Sequence, residues 1–446
     1  MDFITTENLY KIFLQHPQIS TDTRTIFPGS IFFALKGENF NGNLFAKDAL
    51  SKGAAFAVVD EKEFADGEKI FLVENVLVAL QDLSRYHRQQ LRNGKLNVFA
   101  LTGSNGKTTT KELLARVLAK KFNTLFTKGN LNNHIGVPLT LLQLTKEHEM
   151  AVIEMGANHQ KEIELLCTIA EPDYGLITNV GLAHLEGFGG PEGVLKGKTE
   201  LFDDLKKRNG IAFVLTDDSR IVERAAGLKQ TTYGTNGKGE VNGKLIAADP
   251  FVRFEWEAAI PGDSSWSIEM HEVKTQMAGA YNLPNLIAAC AAGFHFGIDA
   301  KEIDDAIASY VPENNRSQFV KCGTNTLLLD AYNANPSSMA AAIENISKMP
   351  EKKKIIVLGD MFELGEASAQ EHQKIVNLVG EKIPDATLVL VGKLFSATKY
   401  KYGSIKFQDS VAAAGWMKNN LPKNCLILIK GSRGMKMERC AGVLVC

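Results

Sequence analysis

Residues 102–109 read Thr-Gly-Ser-Asn-Gly-Lys-Thr-Thr, and they decide how the chain around them folds. An apolar run over 96–101 predicts a strand before this stretch, and apolar residues three and four positions apart over 113–122 predict a helix after it. In such a strand–turn–helix unit, backbone N–H groups and the helix N-terminus face an anion, which is the arrangement that holds nucleotide phosphates. The stretch therefore predicts a nucleotide-binding α/β unit.

This predicted phosphate loop is shorter than the common form, because Leu101 stands where the first glycine of that form usually lies. The match is weak by itself, and the flanking strand and helix favour it over an ordinary glycine turn. We expect Lys107 to neutralise the outer phosphates and the hydroxyl of Thr108 to bind Mg²⁺. The other predicted nucleotide contacts in the loop are Gly103, Ser104, Asn105, Gly106 and Thr109.

The composition is that of an ordinary soluble protein. A length of 446 residues allows two or three domains of roughly 100–200 residues each. The formal net charge of −1 gives no global reason to bind nucleic acid or an anionic membrane. Asp2 and Glu7 interrupt the N-terminus, so we expect no signal peptide, and no apolar run approaches the roughly 20 residues of a membrane span. The six cysteines show no paired metal spacing, which favours thiols in a reducing cytoplasm.

Three blocks follow one another along the chain, and their predicted boundaries are 1–94, 95–311 and 312–446. The second block alternates strands with helices after the phosphate loop. Alternating apolar residues over 252–256 and 266–270, with Pro261-Gly262 between them, predict an antiparallel hairpin added to a parallel sheet. The third block alternates apolar strands with helices, which predicts a second doubly wound α/β unit.

Polar side chains follow the predicted strands at the edge where doubly wound sheets bind ligands. Glu154 ends the strand that begins at Met150, and Asn179 ends the next strand, with His184 shortly after it. A carboxylate at that edge suits Mg²⁺, which prefers oxygen ligands. His184 alone is ambiguous between a local hydrogen bond and a role in the site.

Two further polar stretches are candidates for substrate contacts. Asn132 and Asn133 belong to an asparagine cluster that either makes turns or supplies uncharged donors beside phosphates. Residues 330–338, Asp-Ala-Tyr-Asn-Ala-Asn-Pro-Ser-Ser, follow one predicted strand and precede a helix. Asn335 or Ser337 could be a helix cap, and the number of polar groups at this strand end also favours a ligand.

In their joint order these residues resemble the Mur ligase family, the amide-forming ligases of peptidoglycan precursor synthesis. The resemblance spans nearly the whole chain, and no single short piece decides it. It rests on Thr102–Thr109, Asn130–Pro138, Glu154-Met155-Gly156, Ile177–Gly181 with His184, Lys198-Thr199-Glu200, Asn282 with Asn285, Arg316 and Asp330. A second set is similar to the branch that adds D-alanyl-D-alanine to UDP-N-acetylmuramoyl-tripeptide, namely Tyr332–Ser338, Gly359-Asp360-Met361, Glu363-Leu364-Gly365 and Lys430–Arg433.

The resemblance implies an α/β chain of three domains. These are a small N-terminal α/β domain for the UDP-sugar, a central P-loop ATPase domain with a parallel sheet plus an antiparallel extension, and a C-terminal Rossmann-like domain that brings the dipeptide. A cytoplasmic monomer without membrane insertion is the family expectation. Residues 21–37 are similar to the uridine-binding segment, and the expected contacts there are Thr21, Thr23, Arg24 and Lys36. Two departures are Asn41-Gly42-Asn43, where relatives often have Asp-Gly-His, and His134, where an acid is common.

The implied reaction is ATP-dependent amide formation through an acyl phosphate. Lys107 would cradle the phosphates, Thr108 and Glu154 would hold one Mg²⁺, and His184 would help to hold a second. A lysine at the place of Lys198 looks carbamylated in this family, which turns the amine into a carboxylate able to approach Mg²⁺. That chemistry requires a neutral amine whose pKa is lowered by burial or nearby positive charge. The alternative for Lys198 is an ordinary solvated lysine.

The remaining implied contacts lie late in the chain. Asn282 and Asn285 would lie near adenine, and Arg316 and Asp330 would reach ATP only when the C-terminal domain closes. The expected dipeptide contacts are Tyr332, Asn333, Asn335 and Ser337. The rival functions are another ligase of the same superfamily, including a folylpolyglutamate synthase, and an ATP-driven switch or binding module.

Overall fold

The computed structural model of the chain describes residues 3–92, 95–259, 269–313, 315–350, 353–420 and 423–444. Its strands gather into three main sheets, each drawn from a different part of the sequence, and helices cover the sheets. The predicted α/β class is confirmed. None of the helices in these ranges is long and apolar enough to cross a membrane.

The N-terminal part packs a small parallel sheet against a long helix. Its elements are α1 (Thr6–Gln15), β1 (Ile19–Ser20), β2 (Ile31–Phe33), β3 (Lys36–Gly37), β4 (Phe40–Asn41), α2 (Ala46–Ser51), β5 (Phe56–Val59), β6 (Ile70–Leu72) and α3 (Val76–Arg92). The parallel sheet has the order β1-β2-β5-β6, and β3 and β4 form a separate antiparallel ribbon. Leu9 and Phe13 of α1 pack in one buried cluster with Leu80 and Leu83 of α3.

The central part is built on one long sheet in the order β15-β14-β13-β12-β11-β10-β7-β9-β8. Its elements are β7 (Asn97–Thr102), α4 (Lys107–Leu118), β8 (Thr124–Phe126), α5 (Gly136–Leu141), β9 (Met150–Glu154), α6 (Glu162–Ala170), β10 (Tyr174–Ile177), α7 (Leu185–Phe188), α8 (Pro191–Arg208), β11 (Ile211–Leu215), α9 (Ser219–Arg224), β12 (Lys229–Gly234), β13 (Val241–Ala248), β14 (Phe251–Ala258), β15 (Glu269–Ala278), α10 (Leu283–His295) and α11 (Ala300–Ala308). Strands β7 to β13 pair in parallel with their neighbours, whereas the β13–β14 and β14–β15 pairs are antiparallel. The predicted antiparallel extension is therefore confirmed, although Trp266, Ile268 and Pro261-Gly262 lie outside the described residues.

Alternation along β7 explains why this sheet is covered on both faces. Phe99 and Leu101 pack in a cluster with α4 and α10, and Val98 and Ala100 pack in a second cluster with α6 and α8. Successive strand residues point to opposite faces, so an apolar run without polar interruptions buries both. The carboxyl edge of the strands remains open for the site.

The C-terminal part repeats this arrangement on a third sheet. Its elements are β16 (Gln318–Cys322), β17 (Asn325–Asp330), α12 (Pro336–Lys348), β18 (Lys354–Gly359), α13 (Ser368–Lys382), β19 (Thr387–Val391), α14 (Lys393–Ser396), β20 (Ile405–Phe407), α15 (Ser410–Asn420), β21 (Leu426–Lys430) and α16 (Glu438–Gly442). The order is β16-β17-β21-β18-β19-β20, parallel except for the β16–β17 pair. Cys167, Cys290, Cys425 and Cys440 are free thiols, whereas Cys322 is disulfide-bonded, so the expectation of thiols throughout is wrong for Cys322.

Candidate active site

The phosphate loop connects β7 to α4, and its two glycines have left-handed backbone conformations. Gly103 has φ +144° and Gly106 has φ +77°. A Cβ atom at Gly103 would lie 2.0 Å from Thr178 Oγ1, and one at Gly106 would lie 2.7 Å from Asn285 Oδ1. Only glycine satisfies both the conformation and the close approach. Lys107 Nζ donates to Gly103 O at 2.7 Å across the loop, and burial lowers its pKa.

A buried carboxylate lies directly below the first turn of α4. Thr108 Oγ1 donates to Glu154 Oε2 at 2.9 Å, and Asn132 Nδ2 donates to Glu154 Oε1 at 2.8 Å. Glu154 ends β9 and is only 2% exposed. Lys111 Nζ lies 4.0 Å from Glu154 Oε2, which partly compensates the buried negative charge.

The end of β10 holds the phosphate loop from the other side. Thr178 Oγ1 donates to Asn105 O at 2.6 Å, and Asn179 Nδ2 donates to the same oxygen at 2.9 Å. Asn105 N donates in turn to Asn179 Oδ1 at 3.1 Å. The strand predicted to end at Asn179 therefore ends earlier, because the chain leaves the sheet after Ile177 to make these contacts.

The C-terminal sheet meets the phosphate loop through the start of α12. Asn335 is the N-cap of this helix, and its Nδ2 donates to Asn105 Oδ1 at 2.8 Å. Leu182 N donates to Ser337 Oγ at 3.1 Å. Residues 330–338 were predicted either to cap a helix or to face a ligand. The stretch does cap a helix, and it also faces the candidate site.

Two arginines stack on Tyr332 beside this contact. The Cζ atom of Arg316 lies 3.6 Å from the centre of the Tyr332 ring, and that of Arg433 lies 5.0 Å from it. Arg433 Nη1 also donates to the Tyr332 hydroxyl at 3.0 Å. Nearby, Lys430 Nζ donates to Asp330 Oδ2 at 2.5 Å, so the carboxylate of Asp330 already has a cationic partner.

These elements enclose one cavity of about 1020 Å³ between the central and C-terminal sheets, with Leu77 and Gln81 of α3 at its side. Most of the predicted site residues line it: Ser104, Asn105, Gly106, Lys107, Thr108, Thr109, Asn132, Asn133, Glu154, His184, Asn282, Asn285, Arg316, Asp330, Tyr332, Asn333, Asn335 and Ser337. Gly103, Lys198 and the four N-terminal candidates are not among its lining residues.

Lys198 lies behind the wall of this cavity, on α8. It is 1% exposed, and its Nζ donates to the carbonyl of Ala157, a lining residue, at 3.1 Å. The same Nζ lies 4.9 Å from the centre of the Phe188 ring. Burial, followed by the charge of Lys107, holds the pKa of Lys198 well below its usual range. The alternative of a solvated lysine is therefore wrong.

His184 contacts the C-terminal part as well. Its Nδ1 pairs with Glu363 Oε2, and hydrogen bonding to His184 lowers the pKa of Glu363. His184 has φ +52° at the start of α7. Within the described ranges, no group of three or more His, Cys, Asp or Glu side chains is arranged to hold a metal ion.

The N-terminal candidates engage neighbouring acids rather than the cavity. Arg24 pairs with Asp22 at 2.6 Å, which lowers the pKa of Asp22 to about 2. Lys36 Nζ lies 3.0 Å from Asp60 Oδ1. In the departing Asn41-Gly42-Asn43 segment, Asn43 is fully buried and donates to Asp60 Oδ1 at 2.8 Å. Thr21 and Thr23 are partly buried on either side of Asp22, and a uridine role for these residues stays a prediction.

Sequence reasoning missed Asp218 and Arg220, which also line the cavity. Arg220 Nη2 donates to Asp218 Oδ2 at 2.6 Å and to Val180 O at 2.8 Å. Their position in the sequence could have predicted them, because Asp218-Ser219-Arg220 follows the carboxyl end of β11, where doubly wound sheets bind ligands.

A glycine-cradled phosphate loop, a buried carboxylate below it and a second α/β sheet facing it define a nucleotide-dependent enzyme of the Mur ligase type. Family models match accordingly: Mur ligase family, catalytic domain, at residues 17–88; Mur ligase middle domain at 101–293; and Mur ligase, glutamate ligase domain, at 315–433. The chain belongs to the Mur ligase family.

Individual relatives match over nearly their whole length. The chain is 35% identical over 427 residues to UDP-N-acetylmuramoyl-tripeptide–D-alanyl-D-alanine ligase of Escherichia coli (strain K12), covering 94% of this chain and 92% of that protein. It is 31% identical to the ligase of the same name from Bacillus subtilis (strain 168), covering 94% and 91%. The crystal structure of MurF from Acinetobacter baumannii has a TM-score of 0.84 at 33% identity, covering 96% and 93%. The MurF ligase from Thermotoga maritima in complex with ADP has a TM-score of 0.85 at 29% identity, covering 97% of each chain.

Proposed function

We propose that the chain is an ATP-dependent ligase that joins D-alanyl-D-alanine to UDP-N-acetylmuramoyl-tripeptide, giving the UDP-muramoyl-pentapeptide precursor of peptidoglycan. Relatives of that name align over more than nine-tenths of their length. The observation that carries the proposal is the cavity in which the phosphate loop faces the polar stretch over 330–338. A ligase needs exactly such a place, because ATP and both peptide substrates must meet there.

The proposed chemistry activates a carboxylate that is otherwise a poor electrophile. The terminal carboxylate of the tripeptide attacks the γ-phosphate of ATP, so ADP leaves and an acyl phosphate forms. The amine of D-alanyl-D-alanine then attacks the acyl carbon, and the tetrahedral adduct releases phosphate with the amide bond formed. The protein mainly positions the groups and neutralises phosphate charge. Lys107 is suited to that task because its amine lies across the loop.

The residues around Glu154 fit a magnesium ion. The Thr108 hydroxyl and the Glu154 carboxylate are oxygen donors that lie within 2.9 Å of each other in a buried position. His184 lines the same cavity and is the candidate for a second ion. When bound, Mg²⁺ neutralises phosphate charge. Thr108 and Glu154 would hold the first ion by their side chains, and His184 would help to hold the second.

We propose that Lys198 is carbamylated. The reaction of an amine with carbon dioxide requires the neutral form, and burial together with the charge of Lys107 favours that form by lowering the pKa of Lys198. The product would carry a carboxylate in place of a neutral amine, beside the cavity wall formed by Ala157.

The remaining roles follow from position in the cavity. Asn285 lies against Gly106 and donates to Asn282 Oδ1 at 3.1 Å, and both asparagines are proposed to contact adenine. Arg316 and Asp330 are proposed to reach ATP from the C-terminal part. Tyr332, Asn333 and Ser337 are proposed dipeptide contacts, and Asn132 and Asn133 are proposed substrate contacts. We also propose domain boundaries after residues 94 and 311, since each main sheet lies within one of the resulting ranges. A monomer in the cytoplasm stays a prediction.

A reconstitution with omitted components tests the function. The pure protein is incubated with ATP, Mg²⁺, D-alanyl-D-alanine and a UDP-muramoyl-tripeptide ending in lysine or diaminopimelate, and the products are weighed by mass spectrometry. We expect a pentapeptide product and phosphate release that depends on both peptide substrates. Phosphate release without D-alanyl-D-alanine and without product would favour the ATP-driven switch. A product formed with a single amino acid in place of the dipeptide would favour another Mur-type ligase.

A further inference from the structure

The first turn of α12 is joined to the phosphate loop by hydrogen bonds to which the proposed chemistry gives no role. Asn335 Nδ2 donates to Asn105 Oδ1 at 2.8 Å, across a sequence separation of 230 residues. Asn335 is only 8% exposed. The contact joins the stretch over 330–338, proposed to face the dipeptide, to the phosphate loop, proposed to face the nucleotide. It is therefore suited to couple dipeptide binding to nucleotide binding.

The orientation of the Asn335 amide is determined by its own helix. Asn335 Oδ1 accepts from Ser338 N at 2.9 Å, and Ser338 Oγ accepts from Asn335 N at 3.1 Å, which is a reciprocal capping box. A backbone N–H requires an oxygen acceptor, so the amide nitrogen of Asn335 must point towards Asn105. Because both ends of this side chain are engaged, it has little capacity left for a substrate.

Asn105 is held in a complementary way. Its backbone N and O bond to Asn179 and Thr178 at the end of β10, which fixes the main chain of the loop to the central sheet. Its side-chain oxygen is the part that meets the C-terminal sheet through Asn335. A change in the position of α12 therefore acts on the loop through this side chain.

A second hydrogen-bonded route runs beside the first. Leu182 N donates to Ser337 Oγ at 3.1 Å, and the preceding Gly181 N donates to Ser104 Oγ in the phosphate loop at 3.0 Å. A Cβ atom at Gly181 would lie 3.0 Å from Ser337 Oγ and 3.3 Å from Asn105 Nδ2. The small residue lets three distant segments approach at one point.

We propose that Asn335 is a positioning residue rather than a dipeptide contact, and that through Asn105 it couples the seating of the dipeptide to the geometry of the phosphate loop. This inference rests on the proposed ligase function. It requires that nucleotide and dipeptide strengthen each other's binding and that the gain depends on the Asn335–Asn105 hydrogen bond. Coupling between two sites is reciprocal, so it can be measured as the change in affinity of either ligand when the other is bound.

Asn335→Asp separates the two roles of the side chain. Aspartate caps a helix about as well as asparagine, so the bond to Ser338 N is retained. The second carboxylate oxygen replaces the donor, so the hydrogen bond to Asn105 Oδ1 is lost; a new pair forms only if the Asn105 amide rotates by 180° to present its Nδ2. Asn335→Ser is the companion variant, because serine also caps but lacks the amide donor.

The test measures dipeptide affinity by calorimetry on the full chain. D-alanyl-D-alanine is titrated in the presence of UDP-N-acetylmuramoyl-tripeptide, with and without Mg²⁺ and a nonhydrolysable ATP analogue. In the wild type we expect the analogue to tighten dipeptide binding. In both variants we expect about fivefold of that gain to be lost, the scale of one hydrogen bond, while affinity without the analogue is unchanged. In combination with Asn105→Ala, Asn335→Asp should have little further effect.

Several results would overturn the inference. One is a wild-type dipeptide affinity that the analogue does not alter. Another is an equal loss of affinity with and without the analogue in Asn335→Asp, which would make Asn335 a direct contact. Additive effects of Asn335→Asp and Asn105→Ala would also refute it. If Asn335→Asp unfolds at a lower temperature than the wild type, the dipeptide affinities of Asn335→Ser with and without the analogue are used for the test instead. A wild type that forms no pentapeptide at all would refute the proposed function, whereas normal ligation with unchanged coupling in the variants refutes only this inference.

Discussion

Removal of the Thr108 hydroxyl should have two effects: it should destabilise the central sheet, and it should lower the rate of ligation. Thr108 Oγ1 donates to Glu154 Oε2 at 2.9 Å, and Glu154 is 2% exposed. Thr108→Val keeps the shape of the side chain but leaves that buried carboxylate oxygen without its hydroxyl donor. A hydrogen bond to a charged group contributes about 1.5–3 kcal/mol, so we expect a loss of that size in the free energy of unfolding. The hydrogen bond from Asn132 and the nearby Lys111 amine prevent a larger loss.

The same helix offers a matched control. Thr110 Oγ1 is buried and finds no hydrogen-bond partner among the described residues. Thr110→Val removes the same hydroxyl in the same way, yet it should leave the free energy of unfolding unchanged or slightly higher. Thr108→Ser, which retains the hydroxyl, should lie close to the wild type.

Urea unfolding without nucleotide or Mg²⁺ measures the first effect, and pentapeptide formation measures the second. Because the Thr108 hydroxyl is also a proposed Mg²⁺ ligand, the ligation rate of Thr108→Val should fall at least about tenfold, more than the folded fraction explains. The reasoning fails if Thr108→Val and Thr110→Val unfold at the same urea concentration, or if Thr108→Val ligates at the wild-type rate.

Three other perturbations address different features. Lys198→Ala should lower kcat about 100-fold. In the wild type, removal of carbon dioxide should lower the ligation rate, and added bicarbonate should restore it. The restoration should weaken as the pH falls, because acid protonates the Lys198 amine, which its lowered pKa otherwise keeps neutral. Gly106→Ala should weaken binding of an ATP analogue at least about tenfold in calorimetry, since φ is +77° there and the new Cβ meets Asn285 at 2.7 Å. Asp173→Ala leaves the fully buried Arg88 without its 2.6 Å partner, so chemical unfolding should show a loss of about 3–5 kcal/mol with substrate KM values unchanged.

The sequence predicted those features that short stretches of chain determine. The phosphate loop is recognisable because the glycines at 103 and 106 and the flanking apolar patterns act locally. The carboxylate of Glu154 was found because strand ends of a parallel sheet converge at one edge. Burial of Lys198 was not visible, since neighbouring lysines suggest a solvated face, and only packing of α8 against the sheet reveals it.

Long-range pairings escaped prediction for a physical reason. The Asn105–Asn335 hydrogen bond and the His184–Glu363 contact each depend on how two sheets meet, and no local pattern encodes that orientation. The early end of β10 has the same origin, because Thr178 turns away to bond the phosphate loop. Arg220 was overlooked although it follows a strand end, because its pairing with Asp218 resembles an ordinary surface turn.

The distance along the chain between the halves of the cavity has a consequence for biosynthesis. During synthesis the phosphate loop leaves the ribosome long before residue 335 is made. A nascent chain therefore contains the phosphate loop before the C-terminal stretch that packs against it. Unfinished or truncated copies would therefore hold the proposed ATP loop without the surface that is proposed to receive the dipeptide. Competence for bond formation is thus tied to completion of the polypeptide.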